Sequence, residues 1–141
     1  MKKIIMLMLM LLAFKGYGLT HEQKIVALTI LGEARGEGKA GMYAVACVIQ
    51  QRALNRTMSA ARVCKQRKQF SCWNSKRDLS YLLKSSSAPY AILLAKNLKQ
   101  LDLKYINHAD HYCSLKTNNY WTRSNKVIKI INNHKFYRLK K

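Results

Sequence analysis

The sequence predicts a mostly helical α+β domain with short strands confined to its C-terminal half. Segments between residues 20 and 101 carry apolar residues at helical spacing, bounded by capping or helix-breaking residues. From Asp102 onward aromatic and polar residues alternate over short stretches, the pattern of short strands and loops. No internal repeat, low-complexity linker or second domain-sized segment interrupts the 141 residues.

Residues 1–18 read as a signal peptide. Lys2 and Lys3 form a positive start, Ile4 to Phe14 is an unbroken apolar run, and Gly16 and Gly18 suit a cleavage site. The run is shorter than the ~20 residues that span a bilayer, so export without a stable membrane anchor is expected. Residues 19–141 then form one domain. Thr20 and Gln23 have capping-box spacing, and Ile25, Val26, Leu28, Ile30 and Leu31 continue as an apolar stripe to about Ala34, before Gly36 and Gly38. Gly41 to about Asn55 reads as a second helix, and residues 57–63 as a short one. Residues 64–86 read as a polar basic loop around Phe70 and Trp73. Pro89 marks the first turn of a helix running to about Leu101.

Lys and Arg number 26 against six acids, a net charge of +20. Removal of residues 1–18 takes Lys2, Lys3 and Lys15 and no acid, leaving about +17 on 123 residues. Such a chain is drawn to polyanions. With an export signal, the expected partners are anionic cell-wall polymers rather than nucleic acid. The four cysteines, Cys47, Cys64, Cys72 and Cys113, lie in the exported part, where disulfides are permitted. Cys64 and Cys72 flank the basic loop and are the favoured pair, while Cys47 is either a buried free thiol or a partner of Cys113. No CxxC spacing is present, and neither metal nor cofactor is expected, although His108, Asp110, His111 and His134 are metal-capable types.

The chemistry concentrates at Gly32-Glu33-Ala34-Arg35-Gly36-Glu37-Gly38. An acid at a helix C-terminus sits in negative potential that favours its proton-bearing form. That suits a general acid acting on a glycosidic oxygen. Glu33 and Glu37 cannot serve as an opposed pair: on one helical face they could not bracket a sugar, and the glycines break the helix. Gln69, Ser71 and Asn74 are candidate hydrogen-bond donors to a substrate. Trp73, Tyr112 and Trp121 are candidate stacking surfaces, against the commoner fate of core packing.

Leu31 to Gly38 together with Gly41-Met42-Tyr43-Ala44-Val45-Ala46 resembles the signature of the spore cortex-lytic (SleB-like) cell wall hydrolase family. Gln69-Phe70-Ser71-Cys72-Trp73, Ala109-Asp110-His111-Tyr112 with Tyr120-Trp121, and His134-Lys135-Phe136-Tyr137 follow in the family's order, so the resemblance spans roughly residues 24–138. It implies a lysozyme-like fold and cleavage of peptidoglycan glycan strands between N-acetylmuramic acid and N-acetylglucosamine, by lytic transglycosylation or muramidase-type hydrolysis. It makes Glu33 the catalytic acid and carries substrate contacts to His111 and Tyr112. Glu37, Arg35 and His134 are read as structural support. The chain departs from the family pattern at Asn132, where glycine is frequent, at Cys47 and Cys113, and in a more basic middle loop. Many members carry a separate wall-binding domain, for which charge is expected to substitute here. The competing expectation is a secreted cationic protein that coats anionic walls or membranes without catalysis.

Overall fold

A computed structural model describes residues 18–139; the expected signal peptide and the Lys140-Lys141 tail lie outside the described residues, apart from Gly18. Helix α1 is His21–Ala34, α2 Gly38–Arg56, α3 Ala60–Lys65 and α4 Ala88–Lys96. Strands β1 (His111–Ser114), β2 (Val127–Ile131) and β3 (His134–Tyr137) follow, and five 3-10 turns fill the connections. The fold is thus mostly helical with a small sheet in the C-terminal half. No described helix is long and apolar enough to cross a membrane.

Helix α1 opens with both halves of the expected capping box: Gln23 N donates to the Thr20 hydroxyl at 3.1 Å, and Thr20 N to the Gln23 side chain at 3.0 Å. From Ile25 to Leu31 every residue is buried. A helix that is apolar all round belongs in the middle of a core, and α2, α3 and α4 pack around it. Helix α2 turns its other face to the sheet, where Ala44, Cys47 and Val48 join Ile106, Ala109, Ile131 and Phe136 in a second cluster. The sheet order is β1-β3-β2, antiparallel throughout. The β2–β3 hairpin turns on Asn132 and Asn133, and Asn132 adopts φ 48°, the left-handed conformation that asparagine tolerates well.

Helix α4 stops at Lys96 rather than near Leu101. Asn97 ends it, its side chain donating to Leu93 O at 2.8 Å and its backbone N–H to Leu93 and Leu94. The segment after Lys65 is largely ordered by turns at Ser71–Trp73 and Ser80–Lys84, with Phe70 buried beneath them.

Gly32 sets where the first of these turns lands. A Cβ built on it would lie 2.6 Å from Cys72 Cβ and 2.9 Å from Cys72 Sγ, so only glycine lets the 71–73 turn rest on the last coil of α1. At Gly36 nothing lies within 4 Å. Gly32→Ala is therefore expected to lower stability by about 1–2 kcal/mol, overpacking outweighing the helix-propensity gain of about 0.5–1 kcal/mol. Gly36→Ala should stay within about 0.5 kcal/mol of wild type. Urea denaturation of the two variants checks this, and equal midpoints would contradict the close approach.

Candidate active site

Glu33 lies on the last turn of α1, half-buried, where two separate parts of the chain converge. Its Oε1 accepts from Ser71 Oγ at 3.3 Å and from Cys72 N at 3.1 Å, both on the turn after α3. Its Oε2 accepts from the Tyr112 hydroxyl at 2.9 Å, on β1. Burial pushes the Tyr112 phenol well above its ordinary range, and the neighbouring Glu33 carboxylate pushes it further. Tyr112 thus remains a proton donor across the neutral range. The Cys72 thiol is held far above the usual thiol range, first by burial and then by the neighbouring Glu33 carboxylate.

Arg52 braces both walls from below. It is 4 % exposed, in the second half of α2. Its Nε donates to Asp110 O at 2.6 Å, a guanidinium N–H reaches Gln69 O at 3.5 Å, and its plane lies 4.9 Å from the Phe70 ring centre. Burial lowers its pKa to about 10, which leaves it charged at neutral pH. Arg52 was not singled out from sequence, where it reads as one more polar residue near a helix end.

The structure brings Glu33, Ser71 and Tyr112 together and disperses the other candidates. Gln69 is engaged by α2: Arg52 takes its carbonyl, and Arg56 donates to its side-chain oxygen at 3.0 Å. Trp73 donates its indole N–H to Thr29 Oγ1 at 2.9 Å, with Lys65 Nζ 3.9 Å from its ring centre. Asn74 is exposed beside it. His111 Nδ1 lies 3.0 Å from Asp110 Oδ1, and its ring packs edgewise on Trp121, which also meets Tyr137. His134 packs its ring 4.9 Å from that of Tyr112, and its Nδ1 is buried without a hydrogen-bond partner.

Glu37 does not face Glu33. Its carboxylate accepts from Asn133 N at 3.2 Å and Asn133 Nδ2 at 3.3 Å, and its carbonyl from Asn132 Nδ2 at 2.6 Å, so it fastens the hairpin tip to the start of α2. Arg35, also expected as support, donates to Leu31 O at 3.3 Å and receives the Ser87 hydroxyl on its carbonyl.

The expected Cys64–Cys72 disulfide is corrected by the structure: all four cysteines are free. Burial pushes the Cys64 thiol up to about 12, and burial together with the neighbouring Glu33 carboxylate raises the Cys72 thiol. Cys47 is a buried thiol whose Sγ lies 3.7 Å from Asp102 O, also pushed up to about 12 by burial. Among the described residues no three His, Cys, Asp or Glu side chains form a metal-sized group.

A family model described as Cell Wall Hydrolase matches residues 36–137. The chain belongs to that family. No curated protein and no solved structure matches it. Family membership supports a peptidoglycan-degrading role for this hydrolase. The matched residues include Ser71, Cys72 and Tyr112 and begin just after Glu33.

The far side of the β1 wall carries a pH-dependent contribution to stability. Burial raises the Asp110 carboxyl, but the His111 ring, the Leu139 N–H at 3.0 Å and the Arg52 charge outweigh it, and the net direction is downward. A depressed carboxyl stabilises the fold above its unfolded value of about 4 and loses that contribution as pH falls through the folded value. Asp110→Asn is therefore expected to cost about 0.5–1.5 kcal/mol at pH 7. The gap to wild type should close as pH falls below about 4. Thermal melts of both proteins across that range provide the check.

Proposed function

We propose that this hydrolase cuts the glycan strand of peptidoglycan between N-acetylmuramic acid and N-acetylglucosamine as a lytic transglycosylase, with Glu33 as its single acid and base. The observation that carries the reading is the fate of the six acids. Glu22 caps Ala60 N at 3.0 Å, Glu37 holds Asn133 N, Asp78 holds Ser80 N at 2.9 Å, Asp102 holds Lys104 N at 3.0 Å, and Asp110 holds Leu139 N. Each of these five is used by backbone elsewhere. Glu33 alone lies between the two walls. Two-carboxylate hydrolysis needs a second acid across the scissile bond, for either stereochemical outcome. The mechanism these residues support needs one.

Protonated Glu33 gives its proton to the glycosidic oxygen as the bond to muramic C1 breaks, and N-acetylglucosamine leaves with a free 4-hydroxyl. The Glu33 carboxylate then takes the proton of the muramic C6 hydroxyl while O6 closes on C1. This forms a 1,6-anhydro ring, consumes no water and restores the acid. The Ser71 and Tyr112 hydroxyls accept as well as donate, so the same contacts serve both protonation states of Glu33, while the Cys72 N–H holds Oε1 throughout.

Mass spectrometry of digested peptidoglycan is the test. Anhydro-muramic ends are expected, whereas reducing ends would mean hydrolysis. Glu33→Gln should keep the fold and reduce lysis by at least about 100-fold, since the amide has no proton to give. Lysis by the variant above about a tenth of wild type would overturn the assignment of Glu33.

Charge is proposed to target the enzyme after export. Raising salt from about 0.05 to about 0.5 M shortens the screening length severalfold. Pelleting with whole walls should weaken severalfold over that range, while turnover of a short soluble glycan fragment changes much less. A parallel fall of both would place the salt effect on the cleft instead.

A further inference from the structure

The turn that holds Glu33 has a second face. Ser71 and Cys72 point to Glu33, and the next two residues, Trp73 and Asn74, line a separate cavity of about 350 Å³. Its other walls are Lys65, Gln66, Arg67 and Lys68. Three cations therefore surround the cavity, and none of the chain's six acids lines it. Lys65, Arg67 and Lys68 are exposed, so their charges reach solvent.

The geometry of this cavity is built rather than incidental. Lys68 has φ 60°, a left-handed conformation that is unfavourable for a lysine and folds the 66–69 turn back on itself, where Gln69 N donates to Gln66 O at 3.1 Å. Arg56 fixes that turn from behind through the side chains of Gln66 and Gln69. The Trp73 indole is fixed on α1 through Thr29, with Lys65 held over its face. From Cys72 to Asn74 the chain can travel at most about 7 Å. The cavity and the Glu33 donors therefore share one short turn.

We propose that this cavity binds a carboxylate of the peptide stem carried by the muramic acid next to the scissile bond. The proposal rests on the glycan-strand reading above, because only such a strand brings a stem to this place. Each muramic lactyl group bears a peptide with free carboxylates, and three cations with no competing acid complement them. The cavity then selects strands that retain their stems, separately from the chemistry at Glu33.

The test uses short glycan oligomers with intact stems, the same oligomers after an amidase has removed the stems, and oligomers whose stem carboxylates have been amidated. Binding is measured by titration at fixed ionic strength to the Glu33→Gln chain, alone and with Lys65→Gln, Arg67→Gln and Lys68→Gln added. Intact stems should bind about tenfold more tightly than either altered form, the size expected when two or three partly exposed cations face one carboxylate. The triple substitution should erase that difference and leave binding of stem-free oligomers unchanged. Equal affinities for the three oligomers, or a preference that survives the triple substitution, would overturn the proposal. So would a glycerol-phosphate oligomer that binds through the three cations when intact stems gain nothing. Cleavage of stem-free oligomers by the wild-type chain is followed in parallel. If it fails while the stem preference persists, the glycosidase reading falls and the carboxylate site stands.

Discussion

The seat of Glu33 depends on a cation that never reaches it. Arg52 is buried in α2, and its guanidinium holds the carbonyl of Gln69 on one wall and that of Asp110 on the other. Glu33 takes its donors from residues two or three positions beyond those carbonyls, at Ser71, Cys72 and Tyr112. A guanidinium suits this task because it presents several donors in one rigid plane and stays charged when buried. The carbonyls it holds would otherwise be left short of partners in the interior, which is costly. The same group stacks on Phe70, so packing and hydrogen bonding fix the two walls at one point.

Around that point the fold divides its work. Helix α1 supplies the acid and a surface on which the 71–73 turn rests, through the missing side chain at Gly32. Helix α2 supplies the brace and links the helical cluster to the sheet. The sheet supplies Tyr112, whose ring is supported by His134 and Phe136 on β3. The hairpin carrying β3 is fastened back to the start of α2 by Glu37, so both ends of α2 control the β1 wall.

Local features were legible in the sequence because their partners lie within four residues. The Thr20–Gln23 capping box, the end of α1 before Gly36 and Pro89 in the first turn of α4 all follow from short-range chemistry. The early end of α4 at Asn97 was missed because asparagine there reads as one more polar surface residue. What the sequence concealed depends on contacts across many residues. Arg52 bridges positions 69 and 110, and Glu37 reaches position 133. Gln69 looks like a sugar donor until α2 is placed beneath it. Cys64 and Cys72 look like a pair in the sequence, yet both are free thiols in the fold. Composition indicated that acids were scarce, but only the fold shows that Glu33 alone among them also takes hydroxyl donors from two separate parts of the chain, Ser71 and Tyr112.

The unbroken burial of α1 from Ile25 to Leu31 has a dynamic consequence. Amides in the most enclosed element of a domain exchange with solvent only through large-scale opening, whereas short turns and edge strands open locally at far lower free energy. Glu33 is attached to the slow element, and every group that bonds it is attached to a fast one. The acid thus stands at the end of backbone whose amides are expected to exchange far more slowly than those of the turn and the strand that hold its carboxylate.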